Sequence, residues 1–560
     1  MIPKITYTLF GFCAALVLLA LYNSTDDQLI HEQPQASDIQ KAERLYGLHF
    51  QQAHRDSMLA GIRSNLETYE ALRAQEISND VWPAVQFNPL PAGFEMPGEN
   101  HETHNWQLPE SVTLPESGAE LAFMSVAELS SLIRSGQLSS VTLTELYLER
   151  IRTYDPELRT VITLTADLAL RQAERADSLI QAGVWLGPLH GIPYGSKDLL
   201  ALEGYPTTWG AVPYKDQMID ETATVISRLE VAGAVHLAKL SLGALAWGDV
   251  WFDATTRSPW NTEVGASGSS AGSAAATAAG LVAFAIGSET LGSIVSPSTR
   301  NGVTGLRPTY GRVSRHGAMA LSWSMDKIGP ITRSVRDAAL VFDAIYGADP
   351  YDPSLIDAPF VFDADLPLSE IRIGYQTSAF ELPYPNREHD LAALETLRNL
   401  GADLIPVEIP QLAFNAMDVI LSVEAAAAFD DLTRSGRDSL MVRQLIQAWP
   451  NVFRTARFVP AVEYIQANRA RKQLIENMHK ALQGIDVYVS PSFAGGNLGI
   501  TNLTGHPAVV VPNGFTETGM PVSITFTAQL FEEGKLLRVA DSFQQATDFH
   551  KTYPPDFFIQ

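Results

Sequence analysis

Between Gly265 and Pro308 the chain reads GASGSSAGSAAATAAGLVAFAIGSETLGSIVSPSTRNGVTGLRP, two serine–glycine clusters on either side of an alanine-rich segment. Glycine at this density permits bends closed to residues that carry a Cβ. The run can therefore hold two hydroxyls, Ser269 and Ser293, on tightly turned backbone. The alanines between them, from Ala274 to Ala279, favour a helix with small side chains that allow close packing, and are read as scaffold.

The chain has 560 residues, more than one hydrophobic core usually serves, so one large domain with additions or two domains are expected. Its net charge of -24 repels nucleic acid phosphate, which excludes nucleic acid as a partner. The single cysteine, Cys13, lies in an uncharged N-terminal run from Ile5 to Tyr22. A body without cysteine excludes thiol nucleophiles, disulfides and cysteine-based metal sites. Lys4 before that run, and Asp26 and Asp27 after it, suggest a membrane anchor or signal segment over residues 1–24. The expectation is a catalytic domain anchored on the exported side, periplasmic or extracellular, or secreted if the segment is cleaved.

Apolar positions from Leu45 to Leu72 recur at helical steps, with a break near Gly47, and a proline-punctuated stretch runs from Trp82 to Pro115. Residues 25–118 are read as a helical arm and linker, and 119–560 as the catalytic domain. Ser125 and Glu128 have capping-box spacing at its start. Short apolar or β-branched runs such as Val161 to Leu164, Ala234 to Ala238 and Val509 to Val511 alternate with helical segments such as Ala223 to Ala232, which indicates an α/β/α sandwich. Residues 350–485, mostly helical with a strand near Ile371 to Tyr375, read as a cap or insertion.

Several motifs fail on their spacing. His101-Glu102-Thr103-His104 lacks the separation of a zinc helix, and the glycine loops lack the Gly-Lys-Ser/Thr ending of a phosphate loop; no metal or cofactor is expected. Gly268-Ser269-Ser270-Ala271-Gly272 fits the nucleophile elbow of an α/β-hydrolase esterase, with Ser270 attacking and a distant histidine such as His506 assisting. What precedes it, however, is turn-rich. Lys197, at the end of the apolar run GIPYGSKD, suggests a different chemistry, because burial favours the neutral amine and a neutral amine serves as a base towards serine. The plainer alternative is a lysine paired with the adjacent Asp198.

GIPYGSKD, GSSAGSAAATAAG, GSETLGSI, GLRPTYGRVSRHGAM and SMDKIGPITRSVRDA resemble, in order and spacing, the amidase signature family. The resemblance runs from about Met124 to Tyr346 and returns from Pro491 to Ser542, in NLTGHPAVVVPNG and GMPVSITFTAQLFEE. It implies a mixed central sheet and a Ser-cis-Ser-Lys triad, with Ser293 as nucleophile, Ser269 as the serine behind a cis peptide and Lys197 as base. Backbone N–H groups of Thr290, Leu291, Gly292 and Ser293 would form the oxyanion hole. Where the family commonly has Gly-Thr-Asp-Thr-Gly-Gly-Ser-Ile-Arg, this chain has Gly287-Ser288-Glu289-Thr290-Leu291-Gly292-Ser293-Ile294-Val295. Aspartate becomes glutamate, a glycine becomes leucine beside the oxyanion loop, where it either narrows the acyl pocket or packs beneath it, and arginine becomes valine.

The function expected is a serine amidase that hydrolyses a carboxamide to an acid and ammonia or an amine. Its partners would be a small-molecule amide, the membrane through the N-terminal segment, and a second copy of the chain if it dimerises. Export would argue against the family's amidotransferase role in making glutaminyl- or asparaginyl-tRNA. A non-catalytic binding or assembly protein on the same fold is the alternative from another class.

Overall fold

The computed structural model describes residues 33–75, 77–98, 103–411 and 416–558. Two compact units divide at Ser78 and Asn79. In the first, a helix over Ala36–Tyr46 ends on Gly47, whose φ of 65° is a left-handed stop, and a second helix spans Gln52–Arg73. Within this unit Arg55 forms a buried ion pair with Glu43, Nε to Oε1 at 2.7 Å.

The second unit, Asn79–Gln560, is built on a mixed sheet of eleven strands. In chain order the strands are β1 (Val161–Leu164), β2 (Pro193–Lys197), β3 (Val235–Leu240), β4 (Arg257–Ser258), β5 (Asn261–Gly265), β6 (Phe284–Glu289) and β7 (Thr304–Arg307). They continue with β8 (Lys327–Thr332), β9 (Ile373–Gln376), β10 (Ile405–Val407), β11 (Val487–Pro491), β12 (Ala508–Phe515) and β13 (Pro521–Ala528). The sheet order is β1-β3-β2-β6-β8-β7-β12-β13-β11-β9-β10, while β4 and β5 form a separate ribbon. β2 runs parallel to both β3 and β6, and β8 pairs antiparallel with β6 and β7. Strands β2, β3, β8 and β11 are buried along their whole length, as expected of strands covered on both faces. β9 and β10, from the segment read as a cap, extend the far edge of this sheet.

Local signals act as the sequence suggests. Ser125 accepts from the Glu128 N–H at 3.2 Å while Glu128 Oε2 accepts from the Ser125 N–H at 2.8 Å, closing the capping box of the helix Val126–Arg134. The linker is extended and tied down by side chains: Asn79 exchanges hydrogen bonds with the Ala320 backbone, and Lys472 donates to the Leu90 carbonyl.

The expectation of an exported, membrane-anchored catalytic domain is corrected. The segment Ile5 to Tyr22 lies outside the described residues, and among those described no helix is long and apolar enough to cross a membrane. The two longest, Gln52–Arg73 and Ala461–Ala481, carry charges on nearly every turn, including Arg55, Arg63 and Glu67 in one and Arg471, Lys472 and Glu476 in the other.

Candidate active site

Successive residues of a strand point to opposite faces, and this separates Lys197 from its neighbours. Ser196 meets His236 Nε2 at 2.8 Å. The Asp198 carboxylate is taken by Lys239, Nζ to Oδ1 at 2.8 Å, and accepts from the Thr208 N–H at 3.0 Å. The Lys197–Asp198 pair considered from the sequence therefore does not form. Lys197, fully buried at the end of β2, turns instead on oxygens that carry no charge. Its Nζ donates to Ser269 Oγ at 2.8 Å, Ser288 Oγ at 2.9 Å, Ser270 Oγ at 3.0 Å and the Ser288 carbonyl at 3.3 Å. Burial pulls its pKa down to about 7, against the weaker upward pull of Asp326 and Glu289.

The two adjacent serines differ in what their protons can do. Ser270 Oγ donates to the Ser288 carbonyl at 3.0 Å and accepts from the Ser288 N–H at 3.1 Å, so its proton is already committed. Ser269 Oγ has Lys197 as its one side-chain partner among the described residues, which leaves its proton free to move towards the amine. The Gly268–Ser269 peptide is cis. Glycine is required at 268 because a Cβ there would run into the Gly248 carbonyl. No histidine hydrogen-bonds Ser270 among the described residues; His506 Nδ1 is held by Thr504 Oγ1 at 2.8 Å. The strand before the Gly-x-Ser-x-Gly sequence, β5, belongs to the separate ribbon and not to the central sheet. Neither requirement of an α/β-hydrolase elbow is met.

Ser293 lies in the turn after β6, 8 % exposed, and its carbonyl accepts from the Ser270 N–H at 3.2 Å. Its hydroxyl has no hydrogen-bond partner among the described residues. Gly292 adopts φ 76°, a left-handed conformation that lets the chain turn back beside Ser293. The backbone N–H groups of Thr290, Leu291, Gly292 and Ser293 find no acceptor among the described residues, a row of unused donors beside a hydroxyl. Such donors suit the oxygen of a carbonyl that becomes negative on attack.

Glu289 fixes this turn from below. Oε2 accepts from the N–H groups of Ile294 at 2.8 Å and Val295 at 3.0 Å, while Oε1 pairs with Arg307 Nη1 at 2.7 Å and accepts from Asn502 Nδ2 at 2.8 Å. Burial alone would raise the pKa of Glu289, but the Arg307 charge, its hydrogen bond and the Val295 N–H outweigh it and bring the group down to about 2. Two of the three substitutions that set this chain apart from the common family pattern thus become intelligible: the glutamate takes its cation from β7, and Val295, buried, needs no charge.

Sequence reasoning brought together Lys197, Ser269 and Ser293 but missed Ser288, which contributes a hydroxyl and a carbonyl to the lysine. It also missed Arg307, Asn502 and Asp326, the last accepting from Thr290 Oγ1 at 2.5 Å. Alternation along β6 is the signal that could have found Ser288, since Ser288 and Glu289 must face opposite ways. His101 and Glu102 lie outside the described residues, and His104 stacks on Trp106.

The Amidase family profile matches residues 142–498. A glutamyl-tRNA(Gln) amidotransferase subunit from Marinomonas sp. (strain MWYL1) is 33% identical over 478 residues, 77% of this chain and 98% of that protein. The native peptide amidase of Stenotrophomonas maltophilia is 32% identical, with a TM-score of 0.68 over 76% of this chain and 97% of that one. A solved chain described under the evolutionary origins of an s-triazine catabolic enzyme is 29% identical, with a TM-score of 0.69 over 76% of this chain and 98% of that one. None of these likenesses adds support for a membrane-anchored location, so export no longer weighs against an amidotransferase role. Matched by the family profile over most of its length, and alike in sequence and fold to a solved amidase along nearly all of that enzyme, the chain belongs to the amidase signature family and is an amide-bond hydrolase.

Proposed function

We propose that Ser293 is the nucleophile of this amidase, Ser269 the proton relay and Lys197 the base. The observation that carries the reading is the surrounding of Lys197: a buried amine held near neutrality, ringed by hydroxyl and carbonyl oxygens, with one serine proton free to move towards it. In the cycle, the neutral amine takes the Ser269 proton as Ser269 takes that of Ser293, and Ser293 Oγ attacks the amide carbon. The N–H groups of Thr290, Leu291, Gly292 and Ser293 receive the oxyanion. As the C–N bond breaks, the lysine ammonium returns its proton through Ser269 to the leaving nitrogen, so ammonia or an amine departs and the acyl group stays on Ser293. Water, deprotonated by the same relay, releases the acid and restores the serine.

The substrate we infer is a small carboxamide, cleaved by a catalytic domain that begins near residue 119 and carries residues 350–485 as an addition to its sheet. A fluorophosphonate probe tests the assignment. Labelling should vanish in Ser293→Ala and persist in Ser270→Ala. The reverse pattern would make Ser270 the nucleophile, and an unlabelled, inactive wild-type protein would point to a binding protein on this fold.

A further inference from the structure

Next to the lysine cluster lies a cavity of about 60 Å³. Ser288 and Thr290 form one wall, Met319, Leu321 and Trp323 from the loop before β8 form another, and Asn79 and Trp82 close it from the extended linker. Asn79 is pinned there by three hydrogen bonds: its Nδ2 donates to the carbonyls of Ala320 at 2.9 Å and Ala428 at 3.2 Å, and its Oδ1 accepts from the Ala320 N–H at 2.7 Å. The Trp82 ring lies 4.2 Å from the Arg315 guanidinium. Both residues precede position 142, where the family match begins.

Among the charged groups in the wall, Arg315, Asp326 and Lys327 are engaged by the protein itself, the lysine donating to the Met325 carbonyl. Arg315 donates to the carbonyls of Trp323 and Asp326 and to Ser354 Oγ. The Asp326 carboxylate accepts from the N–H groups of Leu321 and Ser322 and from Thr290 Oγ1. What the cavity offers an occupant is therefore the apolar surface of Trp82, Met319, Leu321 and Trp323. One polar atom is left over. Trp323 Nε1 is buried and has no hydrogen-bond partner among the described residues, an arrangement that normally costs stability unless something else supplies an acceptor.

We propose that this cavity is the acyl pocket, with the strap Asn79–Trp82 as its specificity-determining wall and the Trp323 indole N–H as a donor to an acceptor oxygen on the acyl group. The proposal rests on Ser293 being the nucleophile, because Thr290 then has its N–H in the oxyanion row and its side chain in the cavity wall. At roughly 10 to 15 Å³ for each water-sized occupant, 60 Å³ admits an apolar or single-ring group of about four to six heavy atoms. Long acyl chains meet the strap.

The test is kcat/KM for a series of primary amides, from acetamide through butanamide and benzamide to decanamide, in Trp82→Ala and Ala318→Leu, with fluorophosphonate labelling of each protein alongside. Ala318 also lines the cavity, so leucine there narrows it. Trp82→Ala should raise decanamide relative to butanamide by about tenfold, and Ala318→Leu should lower butanamide and benzamide relative to acetamide by about tenfold, with labelling at Ser293 retained in both. In Trp323→Phe, an amide with an acyl carbonyl or hydroxyl should lose about tenfold against its plain hydrocarbon counterpart. Ratios that stay constant, or a uniform fall across the series, would overturn the pocket while leaving the nucleophile assignment intact. Absence of labelling at Ser293 in the wild type would instead overturn the reading on which it rests.

Discussion

Replacing Lys197 with methionine removes the amine and keeps most of the volume, and it separates two consequences of one buried group. An ordinary lysine loses its proton at 10.5, and burial brings Lys197 down to about 7. That difference is worth about 5 kcal/mol at and below neutral pH, where the unfolded chain keeps the proton readily and the folded chain does not. Between the two values the unfolded state binds the extra proton, so wild-type stability rises with pH, by about 1.4 kcal/mol per unit. This contribution is complete above about 10.5 and lost as pH falls through about 7. Methionine has no such slope. Urea unfolding followed by fluorescence at pH 7.5 and 9.5 should therefore show the wild type gaining about 3 kcal/mol on Lys197→Met over that interval. The hydroxyls of Ser269, Ser270 and Ser288, which lose a partner in the variant, shift both measurements alike and leave the slope untouched. In the wild type the rate of fluorophosphonate labelling should rise tenfold per pH unit and level off above about 7, and in Lys197→Met it should fall by roughly 10² to 10⁴. A stability difference constant with pH, together with labelling that is flat or fastest in acid, would refute a neutral buried lysine as the base.

Ser270→Ala removes the hydroxyl that spans the Ser288 N–H and carbonyl and should cost about 1 to 3 kcal/mol in thermal or urea unfolding, lowering kcat but not abolishing it. Glu289→Ala strands Arg307 without its partner, so a loss of about 3 to 5 kcal/mol is expected along with a drop in labelling rate. Glu289→Asp, one methylene shorter, should fold better than the alanine variant while still labelling more slowly than wild type. Asp198→Asn should destabilise through Lys239 but leave the pH midpoint of labelling unchanged, because Asp198 does not touch Lys197; a shifted midpoint would show that the two are coupled.

The candidate site was legible where residue type and local backbone decide it. A lysine closing an apolar strand and serines embedded in glycine are local facts, and Lys197, Ser269 and Ser293 follow from them with the family resemblance. The pairing of Lys197 was less legible, because neighbouring carboxylates attract attention in a linear reading. Strand alternation sends Asp198 elsewhere, to Lys239 on β3. Arg307 and Asn502 were out of reach, since nothing in the vicinity of Glu289 announces a cation 18 positions away or an amide 213 positions away. The fold followed the same rule. Buried strands such as β3 and β12 stood out by their apolar or β-branched runs, whereas the three-residue β10 carries too little pattern to be told from the helices around it. The N-terminal apolar run invited a statement about location that hydropathy alone does not support.

The Glu289 knot also orders events in time. The carboxylate that seats the turn at Ser293 is itself held by Arg307 and by Asn502, from the helix Asn497–Thr504 near the end of the chain. During synthesis the lysine and both serines emerge long before that asparagine does. A nascent chain that has reached the serines therefore carries the lysine and both hydroxyls without the means to hold them, and the turn at Ser293 is fixed only once the chain has been made as far as Asn502. On refolding from denaturant, recovery of labelling should accordingly trail the recovery of helical signal.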